Sequence, residues 1–234
     1  MREKYFDIKE GLVTGFPIVI GYVPIAMAFG ILAKATGITM MDSFLFSALV
    51  YAGASQFMAL NLLNAGVGIG EIIVATLLMN FRHFLMSASL STKMRNREKK
   101  WIPLIAFGVT DETFSVASFK KQMIDKEFIL PLQAVAYFSW IGGTFLGYIV
   151  GEILPSDIKS SMGIALYAMF VAILIPEAKK SSRVALLAGL SGMMNFLLNY
   201  FKVLPQGWTL VLVIIIVAAF GAFVFDREEV KTIE

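Results

Sequence analysis

Cysteine is absent from this chain and histidine occurs once, at His83. Disulfides and thiol chemistry are thereby excluded, and a single histidine leaves too few ligands for a catalytic zinc site. No serine, histidine and acid signature of a hydrolase is recognisable either. Charge is scarce: 16% of the 234 residues are Asp, Glu, Lys or Arg, against about 25% in soluble domains. In its place stand 58% hydrophobic residues, with 20 Phe and 13 Met, and a mean hydropathy of +0.76. The apolar runs lack the strict alternation of barrel strands, so helices are expected to cross the bilayer. The chain reads as an all-α polytopic membrane protein.

A net charge of +3 needs no nucleic-acid partner, because excess Lys and Arg in a membrane protein belong to cytoplasmic loops. The opening "MREKYFDIKE" is too polar, and the apolar run after it too long, for a cleaved signal peptide, so the first span is expected to remain as an anchor. Neither a low-complexity tract nor a soluble domain interrupts the pattern. Residues 1–234 are read as a single integral membrane domain.

Eight apolar segments follow one another: 11–33, 43–63, 72–90, 101–119, 129–151, 161–175, 184–204 and 208–225. Most approach the roughly 20 residues that cross a bilayer core. Basic loops "KMRNREKK", "KKQMIDKE" and "EAKKSSR" should all be cytoplasmic, which is impossible if every segment crosses from an inside N-terminus. Two re-entrant segments remove the conflict. The candidates are segment two, interrupted by "AGASQ", and segment four, interrupted by "TDETFS". About six crossings then remain, with both termini cytoplasmic and "GEILPSD" outside. In the competing reading segment two simply crosses and one loop violates a statistical rule. Re-entrant pieces from opposite faces would suit inverted repeats, although the halves share no recognisable sequence similarity.

Polar residues inside these segments carry the chemistry. "EIIVATLLMNFRHFLMSASLSTK" holds Asn80, Arg82 and His83 in its middle. A central Arg costs about 2.5 to 3.5 kcal/mol on insertion scales, so Arg82 calls for an interior partner. Asp111 and Glu112 in "GVTDETFS" are the acids inside an apolar segment, and one of them would neutralise Arg82 and leave the other carboxylate free. A structural ion pair, a solute path with ion or proton coupling and a metal enzyme all remain readings of this set, the last weakened by the missing ligands. Pro17 and Pro24, with Gly15, Gly21 and Gly30, predict a kink or unwinding near Gly21 and Tyr22. A helix starting near Ser55 would aim free N–H groups at an anion such as a carboxylate, and Gln56 adds an amide that donates and accepts. Thr110 is suited to cap a helix from Asp111. Gly143, Gly147 and Gly151 form a small-residue face for close packing, and Asn195 and Asn199 share a face for bonds across helices.

"GFPIVIGYVPIAMAFG", "LVYAGASQFMAL", "LMNFRHFLMSASL" and "FGVTDETFSV", in this order, resemble the AzlC family of branched-chain amino acid permeases. A weaker likeness in the hydrophobic second half extends the resemblance over nearly the whole chain. It implies the large subunit of a proton-driven exporter for leucine, isoleucine, valine and, in some members, methionine. The implied partners are a small AzlD-type membrane subunit and the cell membrane, with no cofactor, metal or enzymatic activity. For such a substrate the expected site is Tyr22, Ser55, Gln56, Asn80, Arg82, Asp111 and Glu112. Arg82 or the helix start at Ser55 would take the carboxylate, Asp111 or Glu112 the ammonium, and Phe57, Phe81, Phe114 and Met86 the aliphatic side chain. His83, with Asp111 or Glu112, would carry the coupling proton. The alternative is a structural or channel-like subunit whose intramembrane polar residues only fix helix packing.

Overall fold

The computed structural model describes residues 2–95, 99–120, 122–153, 171, 174–175, 178–179, 181–202 and 208–231. Among them the chain forms helices α1 (Arg2–Ala35), α2 (Met40–Leu45), α3 (Gly53–Asn64), α4 (Ile69–Lys93), α5 (Ile102–Phe107), α6 (Asp111–Phe119), α7 (Lys126–Ile153), α8 (Ser182–Tyr200) and α9 (Trp208–Lys231). A π-helical turn, Phe46–Val50, extends α2. Among the described residues, three helices are long and apolar enough to cross a bilayer, over Tyr5–Ala35, Ile69–Lys93 and Lys126–Gly151, as segments one, three and five predict; segments seven and eight, also expected to cross, form α8 and α9. Segments two and four are both broken, at residues 51–52 and 108–110. Most of segment six lies outside the described residues.

Contacts divide the chain into two units, one of Met1–Leu60 with Asn80–Leu166 and one of Asn61–Met79 with Tyr167–Glu234. In the second, α8 and α9 pack together: a side chain at Gly221 would meet Leu187 at 3.0 Å, and the Arg183 guanidinium covers the Phe225 ring. Asn199 donates to the Asn195 carbonyl at 2.8 Å and to its side chain at 3.1 Å. The bond expected across helices thus closes within α8, because residues four apart already share a face.

The first unit is built on α1 and α7, whose backbones touch. A Cβ at Gly147 would lie 2.1 Å from the Met27 carbonyl oxygen, one at Gly30 2.1 Å from that of Thr144, and one at Gly143 2.7 Å from the Ala26 methyl. Helices in lipid lack a hydrophobic drive to associate and gain instead from such close van der Waals contact. This packing corrects the expectation of an unwound first helix. α1 runs unbroken through Pro17 and Pro24, because each proline removes one backbone bond while α7 holds the flanking turns in helical register.

The two broken segments enter this unit from opposite ends. Ahead of α2, the Ile38 carbonyl accepts from the Tyr148 hydroxyl at 3.0 Å, near the end of α7. Ser47 then meets Thr144 at 2.8 Å, and the Ala48 carbonyl accepts from Tyr137 at 2.9 Å, so this arm runs toward the middle of α7. α3 starts with Gly53 against the Trp140 ring and turns back, since Phe57 packs on Phe29, the ring that also meets Phe46. Segment four begins where the Lys126 ammonium covers the Trp101 ring. Farther in, the Ile105 carbonyl accepts from Gln133 at 2.9 Å. α6 returns to the starting end: Lys93 donates to the Ser118 carbonyl, and Lys120 pairs with Glu10 at 2.7 Å above the Phe128 ring. Backbone bonds between Lys93, Arg95 and Ile124 fasten the same end. Both segments are therefore hairpins of short helices, and side chains of α7 satisfy one carbonyl beside each break, while Thr113 takes that of Gly108, as irregular backbone at membrane depth requires.

Candidate functional site

The hairpin tips meet at mid-length of α1 and α7. Tyr51 at the first tip lies with its ring centroid 5.9 Å from Phe107 beside the second, and 5.0 Å from Tyr137 of α7. Tyr22 of α1 packs edge-on against Trp140 of α7 at 5.3 Å. Trp140 stands fourteen residues from Lys126 and thirteen from Ile153, the ends of α7. At about 1.5 Å per residue this is the centre of the span.

The second tip is shaped by threonines. Thr110 caps α6: its Oγ1 accepts from the Thr113 N–H at 3.3 Å, and Thr113 Oγ1 accepts from the Thr110 N–H at 2.9 Å. The cap sets Asp111 and Glu112 in the first turn, where the helix dipole favours negative charge. From that turn the two carboxylates diverge. Asp111 pairs with Arg82 of α4 at 2.8 Å. Glu112 accepts a hydrogen bond from the Tyr22 hydroxyl, which also lies 2.7 Å from Thr110 Oγ1. One acid thus ties the tip to α4 and the other ties it to α1.

Arg82 stands thirteen residues from Ile69 and eleven from Lys93, so its charge sits near the middle of α4. Its side chain is paired yet 42% exposed, and that of Asp111 40%. Lipid is a costly neighbour for an exposed cation at this depth, so the open side of the pair belongs to a polar cavity or to protein. His83 is half-buried and within electrostatic reach of both partners. Asn80, one turn earlier, has a buried side-chain oxygen with no partner among the described residues. Phe81 is exposed and packs on Phe84, whereas Phe57 is in the core.

Gln56 and Ser55 are both fully buried. The Gln56 amide donates to Ser47 Oγ at 3.0 Å and accepts from the Trp140 indole at 3.0 Å, and Ser47 meets Thr144. Ser55 turns its hydroxyl back to the Ala52 carbonyl at 2.9 Å, which occupies its donor at the start of α3. Gln56→Leu is expected to lower stability by about 1–3 kcal/mol, the cost of leaving the Trp140 donor buried and unpaired. An unchanged melting temperature in detergent would mean that this network does not hold the first hairpin.

The geometry brings Tyr22 together with Glu112, and Arg82 with Asp111, with His83 beside them. Gln56 lies behind Trp140, and Ser55 is engaged with its own backbone. Sequence reasoning passed over Tyr51, Tyr137, Trp140, Ser47 and Thr144. Trp140 carried a usable signal, since an indole N–H in the middle of an apolar span needs an acceptor. Beside the tips, Leu104, Phe107, Leu130, Gln133, Ala134 and Tyr137 line most of an apolar cavity of about 360 Å³.

The AzlC protein family matches residues 17–154, a stretch that takes in α1 from Pro17, both hairpins and α7. An uncharacterized membrane protein of Archaeoglobus fulgidus is 34% identical, over 83% of this chain and 87% of its own. The inner membrane protein YgaZ of Escherichia coli is 31% identical over 78% of each chain. The branched-chain amino acid transport protein AzlC of Bacillus subtilis is 26% identical, over 71% of this chain and 66% of its own. No solved structure matches. With the family match spanning the whole constellation around the hairpin tips, this chain belongs to the AzlC family of membrane proteins.

Proposed function

We propose that the chain is a secondary transporter that exports branched-chain and other hydrophobic amino acids in exchange for protons. It works in the cell membrane as one transport domain over residues 1–234, together with a small AzlD-type membrane subunit. The observation that carries this reading is the meeting of two hairpin tips at mid-span around one cation and two carboxylates with different partners. Broken helices at the midplane are where transporters bind polar groups. A zwitterion needs positive potential, which Arg82 supplies, and an acceptor for its ammonium, which Glu112 supplies. The apolar cavity beside Phe107 and Tyr137 takes the aliphatic side chain. A relative named for branched-chain amino acid transport points to the same substrate class. Lys93, Arg95 and Lys120 gather at the end that also holds the first turns of α1, which supports a cytoplasmic N-terminus; a cytoplasmic C-terminus is part of the same proposal.

His83 and Asp111 are the proposed proton path, with Glu112. His83→Ala and Asp111→Asn are each expected to slow proton-dependent leucine export in vesicles by about a hundredfold, the lower end of the range for a positioned proton-transfer group. Export at the wild-type rate in both variants would sink the assignment. Saturable counterflow of labelled leucine in proteoliposomes, with and without the small subunit, separates a transporter from a channel-like or purely structural subunit.

A further inference from the structure

Three tyrosine hydroxyls converge on the place where the hairpin tips meet, and two of them are committed. Tyr22 donates to Glu112, and Tyr137 donates to the Ala48 carbonyl. The third, Tyr51, is 4% exposed, and its hydroxyl has no partner among the described residues. Buried hydroxyls are nearly always bonded, so an orphan at a candidate site asks for a group that arrives later.

The backbone at Tyr51 makes the same demand. Its φ of 43° and ψ of 45° are left-handed, a conformation that is uncommon for a non-glycine residue and a true outlier for a bulky one. The residue sits between the π-helical turn and α3, so this conformation is what reverses the chain at the tip. Strain of this kind persists only where the surroundings over-determine it, and it gathers at binding sites. Here the ring is gripped edge-on by Tyr137 and lies against Phe107, which fixes the hydroxyl's place before any ligand enters.

We propose that the Tyr51 hydroxyl is the hydrogen-bond donor that receives the carboxylate of the transported amino acid. This rests on the amino-acid reading above and adds a residue to it. Tyr51 lies near enough to the Glu112 carboxylate to feel its charge, so a zwitterion held there would have a donor for its carboxylate and an acceptor for its ammonium. Of the groups expected for that role, Arg82 is paired with Asp111, and at the helix start the Ser55 hydroxyl is bonded to the Ala52 carbonyl.

The full chain, co-expressed with its small subunit and reconstituted in proteoliposomes, provides the test. Tyr51→Phe deletes one oxygen and keeps the ring. Because that oxygen has no partner to lose, the melting temperature should stay at the wild-type value. The apparent affinity for leucine in counterflow should fall by about tenfold or more, as for a lost hydrogen bond to a charged group. Leucinamide, which lacks the carboxylate, should compete equally well against both proteins. Wild-type leucine affinity in Tyr51→Phe, or an equal loss for leucine and leucinamide, overturns the assignment. A lowered melting temperature does so as well, by marking the hydroxyl as structural. A wild-type chain that gives no leucine counterflow overturns the amino-acid reading itself, and this assignment with it.

Discussion

Glu112→Gln is expected to reduce leucine counterflow by up to about a hundredfold while the chain stays folded. The substitution keeps the shape of the side chain and an oxygen that accepts from Tyr22, so the second hairpin remains tied to α1. What it removes is the negative charge. A hydrogen bond to a charged group contributes about 1.5–3 kcal/mol, which is roughly 10- to 150-fold in affinity. Reconstituted protein should show the loss as a raised concentration for half-maximal counterflow, with the melting temperature no lower than wild type. Asp111→Asn serves as the contrast, because it strips Arg82 of its partner and leaves a partly buried cation uncompensated. If Glu112→Gln transports leucine at wild-type rate and affinity, the ammonium acceptor is not Glu112, and the two acids of α6 would have to exchange roles.

Much of this arrangement was legible before any coordinates. Hydrophobic run length and scarce charge gave the helical class; loop basicity pointed to segment four and one of segments one to three, and "AGASQ" picked out segment two as the interrupted one. Arg82 in oil implied a carboxylate, and only Asp111 and Glu112 were available. Thr110 ahead of two acids marked a helix start, and three glycines at four-residue spacing marked the face of α7 that meets α1. What stayed hidden depends on contacts distant in the chain. Nothing near Tyr22 says that its hydroxyl will meet an acid ninety residues later, and nothing in "LVYAGASQ" says that Tyr51 rather than Gly53 adopts the left-handed backbone. Local rules favour glycine there. Gly53 is instead occupied with the Trp140 ring, which a Cβ would meet at 2.6 Å. Of the kink or unwinding that Pro17 and Pro24 predict, the unwinding does not occur for a related reason: the fit of α1 against α7 outweighs their tendency to break a helix.

That fit yields the largest expected effect on the folded state. Gly147→Ala adds one carbon, and its Cβ would lie 2.1 Å from the Met27 carbonyl oxygen, 2.5 Å from Met27 Cα and 2.6 Å from the Met27 carbonyl carbon. All three are backbone atoms, so no rotamer change relieves the clash and the helices must part. Overpacking a well-packed core costs about 1–3 kcal/mol when side chains can adjust; an obstacle made of backbone puts Gly147→Ala at or above the top of that range. Parting the helices also loosens the Gly30 and Gly143 contacts and the Tyr22 to Trp140 packing on which both hairpin tips rest, so transport should fall with stability. Gly142→Ala is the control in the same helix, because its Cβ would meet nothing within 4 Å. Alanine is favoured over glycine in a helix by about 1 kcal/mol, so this variant should melt at or above the wild-type temperature. Melting curves in detergent for the pair decide the matter: the same chemical change, five residues apart, should act with opposite sign. Equal stability of Gly147→Ala and wild type would show that α1 and α7 do not approach at backbone contact.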